Sequence, residues 1–244
     1  MRSVHALTLA ILLAPAAAVA QDMGDGFFFR EPVATWSVRA GYGVANAGSD
    51  IFSFTSRQLT LEKSDFSGVN IGSDLDFRLA SRLTLGLGIW YEGRSTPSEY
   101  RDFVDQDDLP IEQTTKFRRM PLTASLKFYV TPRGRSIGHF AWIPTKVAPY
   151  IGAGGGAMWY SFEQKGDFID QPSMDVFHDT VKSEGWTPEG HAMAGVDVSL
   201  TPRFVLTGEG RYTYAKAKMD EDFIDFDKID LSGFAITAGL AIRF

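Results

Sequence analysis

Thr237-Ala238-Gly239-Leu240-Ala241-Ile242-Arg243-Phe244 closes the chain in an alternating run that begins at Gly233. Phe234, Ile236, Ala238, Leu240, Ile242 and Phe244 fall on one face, and Gly233, Ala235, Thr237, Gly239, Ala241 and Arg243 on the other. That is the period-two signature of a strand. An apolar face, a small or polar face and a final aromatic suit a strand with lipid outside and a packed lumen inside. A soluble domain seldom ends its strongest strand on an exposed phenylalanine.

The start of the chain agrees. Arg2 and His5 precede an apolar run from Ala6 to Ala14, and Ala18-Val19-Ala20 before Gln21 has the form of a signal-peptidase site. Residues 1–20 therefore read as a signal peptide for Sec-type export, with Gln21 the first mature residue. The apolar run is too short to span a bilayer. No later segment offers about 18 uncharged apolar residues, so membrane insertion must use strands, the other way to satisfy backbone groups in lipid. The absence of cysteine excludes a lipidated amino-terminus, disulfides and thiolate chemistry. Mean hydropathy is near zero, as expected where only alternate residues meet lipid. The 244 residues, less the signal, suffice for one domain.

Period two recovers eight strands. The first, Thr35 to Val44, sends Trp36, Val38, Ala40, Tyr42 and Val44 outward and Ser37, Arg39, Gly41 and Gly43 inward. The second, Phe66 to Ala80, turns Asn70, Gly72, Asp74, Asp76 and Arg78 inward, and the third, Leu83 to Arg94, turns Thr84, Gly86, Gly88, Trp90, Glu92 and Arg94 inward. The fourth, Arg118 to Val130, sets Leu122, Ala124, Leu126, Phe128 and Val130 against Thr123, Ser125, Lys127 and Tyr129. The fifth, Val147 to Ser161, is blurred by Gly152 and Gly154 to Gly156. Pro188 to Leu200, Phe204 to Tyr214 and the terminal run complete the set. Short or medium connections follow strands two, four and six, and long ones follow one, three, five and seven. The expected fold is an all-β, eight-stranded antiparallel up-and-down transmembrane barrel with long extracellular loops and short periplasmic turns. Residues 35–244 form the barrel, and 21–34 a periplasmic amino-terminal segment carrying Phe27, Phe28 and Phe29 at the rim.

With this pattern, the segment Ala148-Pro149-Tyr150-Ile151-Gly152-Ala153-Gly154-Gly155-Gly156 and the terminal strand, the chain resembles the eight-stranded outer-membrane β-barrel superfamily, in particular the OmpA-like transmembrane domain and the opacity-type surface barrels. The spacing of Thr237, Gly239, Ile242 and Phe244 is similar to the signal read by bacterial barrel-assembly machinery. The resemblance implies a multi-pass protein of the cell outer membrane, exposed at the surface of a Gram-negative type envelope. Its expected partners are outer-membrane lipid and that machinery, with the barrel a monomer. A soluble sandwich or lipocalin-like barrel shares the alternation, but would bury the face carrying Arg39, Asp74, Asp76, Lys127, Asp197, Glu209 and Arg211 while leaving its apolar face in water.

Eight strands leave a lumen that side chains fill, so inward charges of both signs should pair. Arg39 is expected against Asp74 or Asp76, and Glu209 near Arg211. The array reads as an ionic core that closes the barrel or as a gated ion path, which makes a narrow passive pore or hydrophobic-solute conduit the alternative to a structural surface protein.

The loops repeat one motif: Asp102-Phe103-Val104-Asp105, Asp167-Phe168-Ile169-Asp170 and Asp222-Phe223-Ile224-Asp225. The segments 95–117, 163–189 and 215–230 carry −4, −5 and −3, against −6 for the whole chain. The remainder is net positive, with Arg82, Arg133, Arg135, Lys146 and Arg203 in or beside the periplasmic connections. The three phenylalanines are read as converging in an apolar cap, or the acids as holding divalent cations weakly, or the repeat as a coincidence of composition. No Asp-x-Asp-x-Asp-Gly calcium loop is present. Surplus acid repels nucleic acid and other anions.

Some barrels of this size hydrolyse or transfer acyl chains, which needs a histidine near a serine and an acid. After residue 20 only His139, His178 and His191 are available, and each reads as a surface or hydrogen-bonded histidine. No phosphate-binding glycine loop or cofactor box is evident, so a lipid-modifying enzyme ranks below the non-enzymatic readings.

Overall fold

The computed structural model describes residues 28–138, 140–170 and 175–244. The expected signal peptide, the cleavage point at Gln21, Phe27 and His139 lie outside these residues. Among the described residues the strands are β1 (Ala34–Ala45), β2 (Gly68–Ala80), β3 (Leu83–Val104), β4 (Pro110–Tyr129), β5 (Gly134–Ile137), β6 (Ala141–Pro144), β7 (Val147–Ile169), β8 (Val176–Ser199), β9 (Phe204–Ala217), β10 (Ile229–Asp230) and β11 (Gly233–Arg243), with one α-helix, α1 (Asp50–Gln58).

Eight of these strands form a closed antiparallel ring in the order β1, β2, β3, β4, β7, β8, β9, β11, and β11 returns to β1. The closing seam pairs Thr35 with Arg243 through to Ala45 with Gly233. Phe244 extends it: its carbonyl oxygen accepts from the Val33 and Ala34 amides at 3.1 and 3.0 Å, and its own amide donates to Ala34 O at 3.0 Å. Closure leaves no unpaired edge in the wall, which lipid demands of a strand-built span.

Alternation sorts the side chains. Ile236 is 64% exposed and its neighbour Thr237 5%. Val69, Ile71, Leu87, Ile151, Leu206 and Leu240 join Ile236 on an apolar exterior, whereas Arg39, Asp74, Asp76, Lys127 and Glu209 are buried inside. Such an exterior would be an aggregation liability in water but is the natural surface in a bilayer.

Four strands outrun their expected ends. β7 and β8 have 23 and 24 residues, where about 9–11 cross a bilayer. The surplus builds tall hairpins, β3 with β4 and β7 with β8, above the loop rim. Out of the membrane both hairpin faces meet water, so the hydrophobic contrast fades at Ser95 and Ser98 while backbone pairing continues, to Lys116 and Gln113.

The connections also hold structure that alternation does not announce. Between β1 and β2 the chain folds inward as α1 and a short 3-10 turn (Lys63–Phe66). Ile51 and Phe52 are buried, and Phe52 meets Phe66, Phe117 and Phe162 edge-on at 4.7, 5.3 and 5.9 Å. With Leu59, Leu61, Met158, Ile229 and Leu231 they form an apolar plug in the loop-rim mouth. At the opposite, turn rim, β5 and β6 make a small hairpin joined by Phe28, whose carbonyl accepts from the Trp142 amide at 2.7 Å. Trp142 is 2% exposed beneath this lid.

Candidate functional site

The middle of the lumen is a layer of paired charge. Arg39 reaches to either side around the ring: it bonds Asp74 on the adjacent β2, and its Nη1 lies 2.8 Å from Glu209 Oε2 on β9, one strand beyond β11. Arg211 Nη2 lies 3.0 Å from Glu209 Oε1 and 3.8 Å from Asp74 Oδ1. The two guanidiniums flank the Trp90 ring at 4.7 and 5.0 Å, while Trp90 Nε1 donates to Asp74 Oδ1 at 3.3 Å. Toward the turn rim, Lys127 Nζ donates to Asp76 Oδ2 at 2.9 Å and the Tyr150 hydroxyl to Glu209 Oε2 at 2.8 Å. Toward the loop rim, Arg119 bonds Glu92, which also accepts from Asn70 at 3.0 Å. Arg39, Arg119, Lys127 and Arg211 are thus matched by Asp74, Asp76, Glu92 and Glu209. Low dielectric makes each of these attractions strong and any missing partner costly.

Arg39 takes Asp74, one of its two expected partners, and Glu209 meets Arg211 as expected, while two other carboxylates are used differently. Asp76 serves Lys127 rather than Arg39, because Lys127 on β4 stands across Gly86, whose missing side chain opens the space between them. Asp197 accepts from the Tyr129 hydroxyl at 2.8 Å instead of meeting a cation. Trp90 and Glu92 followed from strand parity. Tyr129 followed from it too, whereas Arg119 and Tyr150 were not singled out, and Arg119 would have needed the β4 alternation carried two inward steps beyond Thr123.

Between the charged layer and the apolar plug lies a cavity of about 40 Å³, bordered by Asn70, Trp90, Glu92, Arg119, Met158 and Thr213. Its scale suits ordered water rather than a solute path. Elsewhere in the lumen Ser125 Oγ lies 2.8 Å from His191 Nε2, and His191 Nδ1 lies 3.1 Å from Glu189 Oε1. All three residues are buried.

The three acidic motifs do not converge. Phe103 meets Tyr100 of its own hairpin at 6.3 Å, and Phe168 stacks on its cross-strand partner Phe177 at 6.0 Å. Phe223 alone of the three enters the plug, against Phe162 at 5.7 Å and Phe226 at 6.3 Å. The shared cap is therefore replaced by a plug built from α1: a long hairpin satisfies its tip aromatics within its own two strands, and the mouth is already filled. The acids are likewise used locally. Asp105 Oδ1 accepts from the Asp107 and Leu109 amides at 2.8 Å, Asp167 Oδ1 lies 2.9 Å from His178 Nδ1, and Asp222 Oδ2 accepts from the Lys182 amide at 3.2 Å. The Asp170 amide donates to Asp175 O at 3.0 Å, while Asp102 and Asp225 are exposed. Among the described residues no group of three or more acids and histidines is placed to hold a metal ion.

In the stem above the membrane, Lys116 Nζ donates to Glu163 Oε1 at 2.8 Å, and this hydrogen bond holds the Glu163 carboxyl below its ordinary range. Burial raises the Tyr100 hydroxyl.

A closed eight-stranded wall, apolar outside and ionic within, with Phe28 and Phe244 at the short-turn rim, defines the class: the chain has the architecture of the eight-stranded outer-membrane β-barrels. No family model and no curated protein matches the sequence. Solved structures similar to the chain include Neisserial surface protein A, at 14% identity over 90% of this chain and 100% of that one with a TM-score of 0.47. They also include the outer membrane protein OprG from Pseudomonas aeruginosa, at 14% over 89% and 99% with 0.47. A third is a major outer membrane protein from Thermus thermophilus, at 12% over 86% and 99% with 0.48.

Proposed function

We propose that this protein is a surface-exposed outer-membrane barrel whose lumen does not conduct and whose binding function resides in the acidic hairpins above the bilayer. The turn rim, which carries Phe28 and Phe244, then faces the periplasm. The carrying observation is the neutralised charged layer spanning the lumen from Arg39 to Glu209 and Arg211. It fills the bore between an apolar plug and a periplasmic lid, so an ion would have to break several buried pairs to pass. The hairpins present dispersed carboxylates, which favour a cationic surface or loosely held divalent ions over one coordinated metal. Refolded protein in planar bilayers should give no ion-scale conductance steps; regular steps would support the narrow-pore reading instead. A fluorescent oligolysine should bind the protein in neutral nanodiscs and be released by salt. The charge-removing variant Asp102→Asn, Asp105→Asn, Asp107→Asn, Asp108→Asn should bind it less.

A second reading rests on one observation, the order Ser125, His191, Glu189, which is that of nucleophile, base and orienting acid. The group is sealed in the lumen, and none of its members borders the 40 Å³ cavity. It serves better as a hydrogen-bonded bridge between β4 and β8 than as acyl-transfer machinery. A fluorophosphonate probe should leave the folded protein unlabelled; labelling abolished by Ser125→Ala would favour the enzyme.

A further inference from the structure

The periplasmic mouth holds three arginines drawn from separate elements: Arg133 after β4, Arg203 in the turn before β9, and Arg243 at the end of β11. They are close neighbours. Arg133 Nη2 donates to Thr35 Oγ1 at 2.9 Å, Thr35 is the cross-strand partner of Arg243, and the Arg243 amide donates to Arg203 O at 2.9 Å. Each guanidinium lies on an aromatic ring: Arg133 on Tyr129 at 5.3 Å, Arg203 on Phe28 at 5.1 Å and Arg243 on Trp142 at 5.5 Å. Phe28 and Trp142 meet edge-on at 6.3 Å, so the β5–β6 lid and the segment before β1 form the roof.

What the cluster lacks is a carboxylate in direct contact. Arg133 and Arg243 are 3% and 1% exposed, and Arg133 Nε, Arg203 Nε and Arg243 Nη2 are buried without a hydrogen-bond partner. Among the described residues no carboxylate lies within 4.0 Å of any of the three, although the other buried arginines, Arg39, Arg119 and Arg211, each have one. Asp197 commits Oδ2 to the Tyr129 hydroxyl, and the Phe244 carbonyl oxygen is taken by the Val33 and Ala34 amides. Arg243 Nη1 finds only the Ser199 hydroxyl, at 3.0 Å. Two buried guanidiniums beside a half-buried third, each with an orphan donor and none with a carboxylate in contact, are costly, and a bound anion would offset that cost. Guanidinium forks match tetrahedral oxyanions in geometry and charge. The aromatic stacking holds the forks in place beforehand, so little order is lost on binding.

We propose that Arg133, Arg203 and Arg243 form a binding site for one phosphate group beneath the β5–β6 lid. The group is either free phosphate or the headgroup of an anionic lipid in the adjoining leaflet.

Calorimetric titration of inorganic phosphate into the refolded full-length protein, at constant ionic strength in a zwitterionic detergent, is the direct test. Saturable binding is expected, weakened tenfold or more in Arg133→Gln and Arg243→Gln, a loss of at least about 1.4 kcal/mol. It should be kept in Arg135→Gln, whose side chain is exposed on the lid. A heat-modifiability gel shift confirms that each variant is folded, and Arg243→Lys, which keeps the charge, retains partial binding. A headgroup source is identified if free phosphate does not bind but phosphatidylglycerol in phosphatidylcholine nanodiscs raises the unfolding midpoint of the parent and not of Arg243→Gln. The proposal fails if neither probe acts on the parent protein. It also fails if phosphate binds only after Asp22→Asn and Asp25→Asn, since a carboxylate of the chain itself would then be the counter-ion.

Discussion

Gly239 stands directly opposite Arg39 across the seam where the barrel closes, and a β-carbon there would collide with the Val38 carbonyl oxygen and lie 2.7 Å from Arg39 Cα. The glycine read as part of an assembly signal is also a packing requirement of the charged layer. Gly239→Ala should therefore destabilise the refolded barrel by about 1–3 kcal/mol, the usual cost of overpacking. A urea midpoint equal to that of the parent would mean that the seam has slack and that the glycine serves assembly alone.

Phe244 separates assembly from stability in another way. Its side chain lies at the rim, but its backbone makes three hydrogen bonds across the seam. Phe244→Asp keeps those bonds, so its urea midpoint should stay near the parent value while the amount reaching the outer membrane falls. Deleting Phe244 should lower both, with a stability loss of roughly 1.5–4 kcal/mol for three such bonds. Normal membrane levels of Phe244→Asp would refute a role for the aromatic in assembly.

Within the lumen, Glu209 serves three partners, Arg39, Arg211 and Tyr150. Glu209→Ala should cost on the order of 3–5 kcal/mol, and more than Asp76→Ala, which frees only Lys127. The reverse order in denaturant titrations would contradict the pairing described.

The plug and the hairpin tips should respond independently. Phe52→Ala removes the centre of an aromatic cluster and should cost about 3–5 kcal/mol of local stability, exposing residues 46–67 to protease while the membrane strands stay protected. Phe223→Ser should loosen the same plug. Phe103→Ser and Phe168→Ser should each affect only their own hairpin. If all three motif variants loosen all the loops together, the tips share a cap after all. Calcium protection lost in Asp105→Asn, Asp170→Asn or Asp225→Asn would restore the cation reading.

Acid should open the β4–β7 stem before the barrel. The Glu163 carboxyl is held below its ordinary value of 4.5 by Lys116, so its contribution is complete above that value and is lost as pH falls through the lowered one. Amide exchange around Phe117 and Phe162 should quicken in that window, and Lys116→Met should remove the dependence. An unchanged acid profile in Lys116→Met would assign the opening to other groups.

The alternation of Val38 with Arg39, or of Ile236 with Thr237, was enough to determine the wall, its inside and its outside, because lipid and lumen make opposite demands on adjacent residues and a one-residue slip would reverse them all. The sequence also marked the inward charges Arg39, Asp74, Asp76, Lys127, Glu209 and Arg211. Their partners were decided only in three dimensions: Asp76 meets Lys127 51 positions away because closure, shear and the glycine gaps set which inward side chains share a level. The same holds for Phe52 as a plug, for Trp142 as a roof over three arginines, and for the separation of Phe103, Phe168 and Phe223. Residues outside the bilayer carry no lipid-imposed period, so nothing local records where a loop folds back. Periodicity thus determined the barrel by itself, while the contents of its lumen and the closure of its two mouths required the tertiary structure, since they depend on contacts between segments whose order along the chain does not encode their meeting.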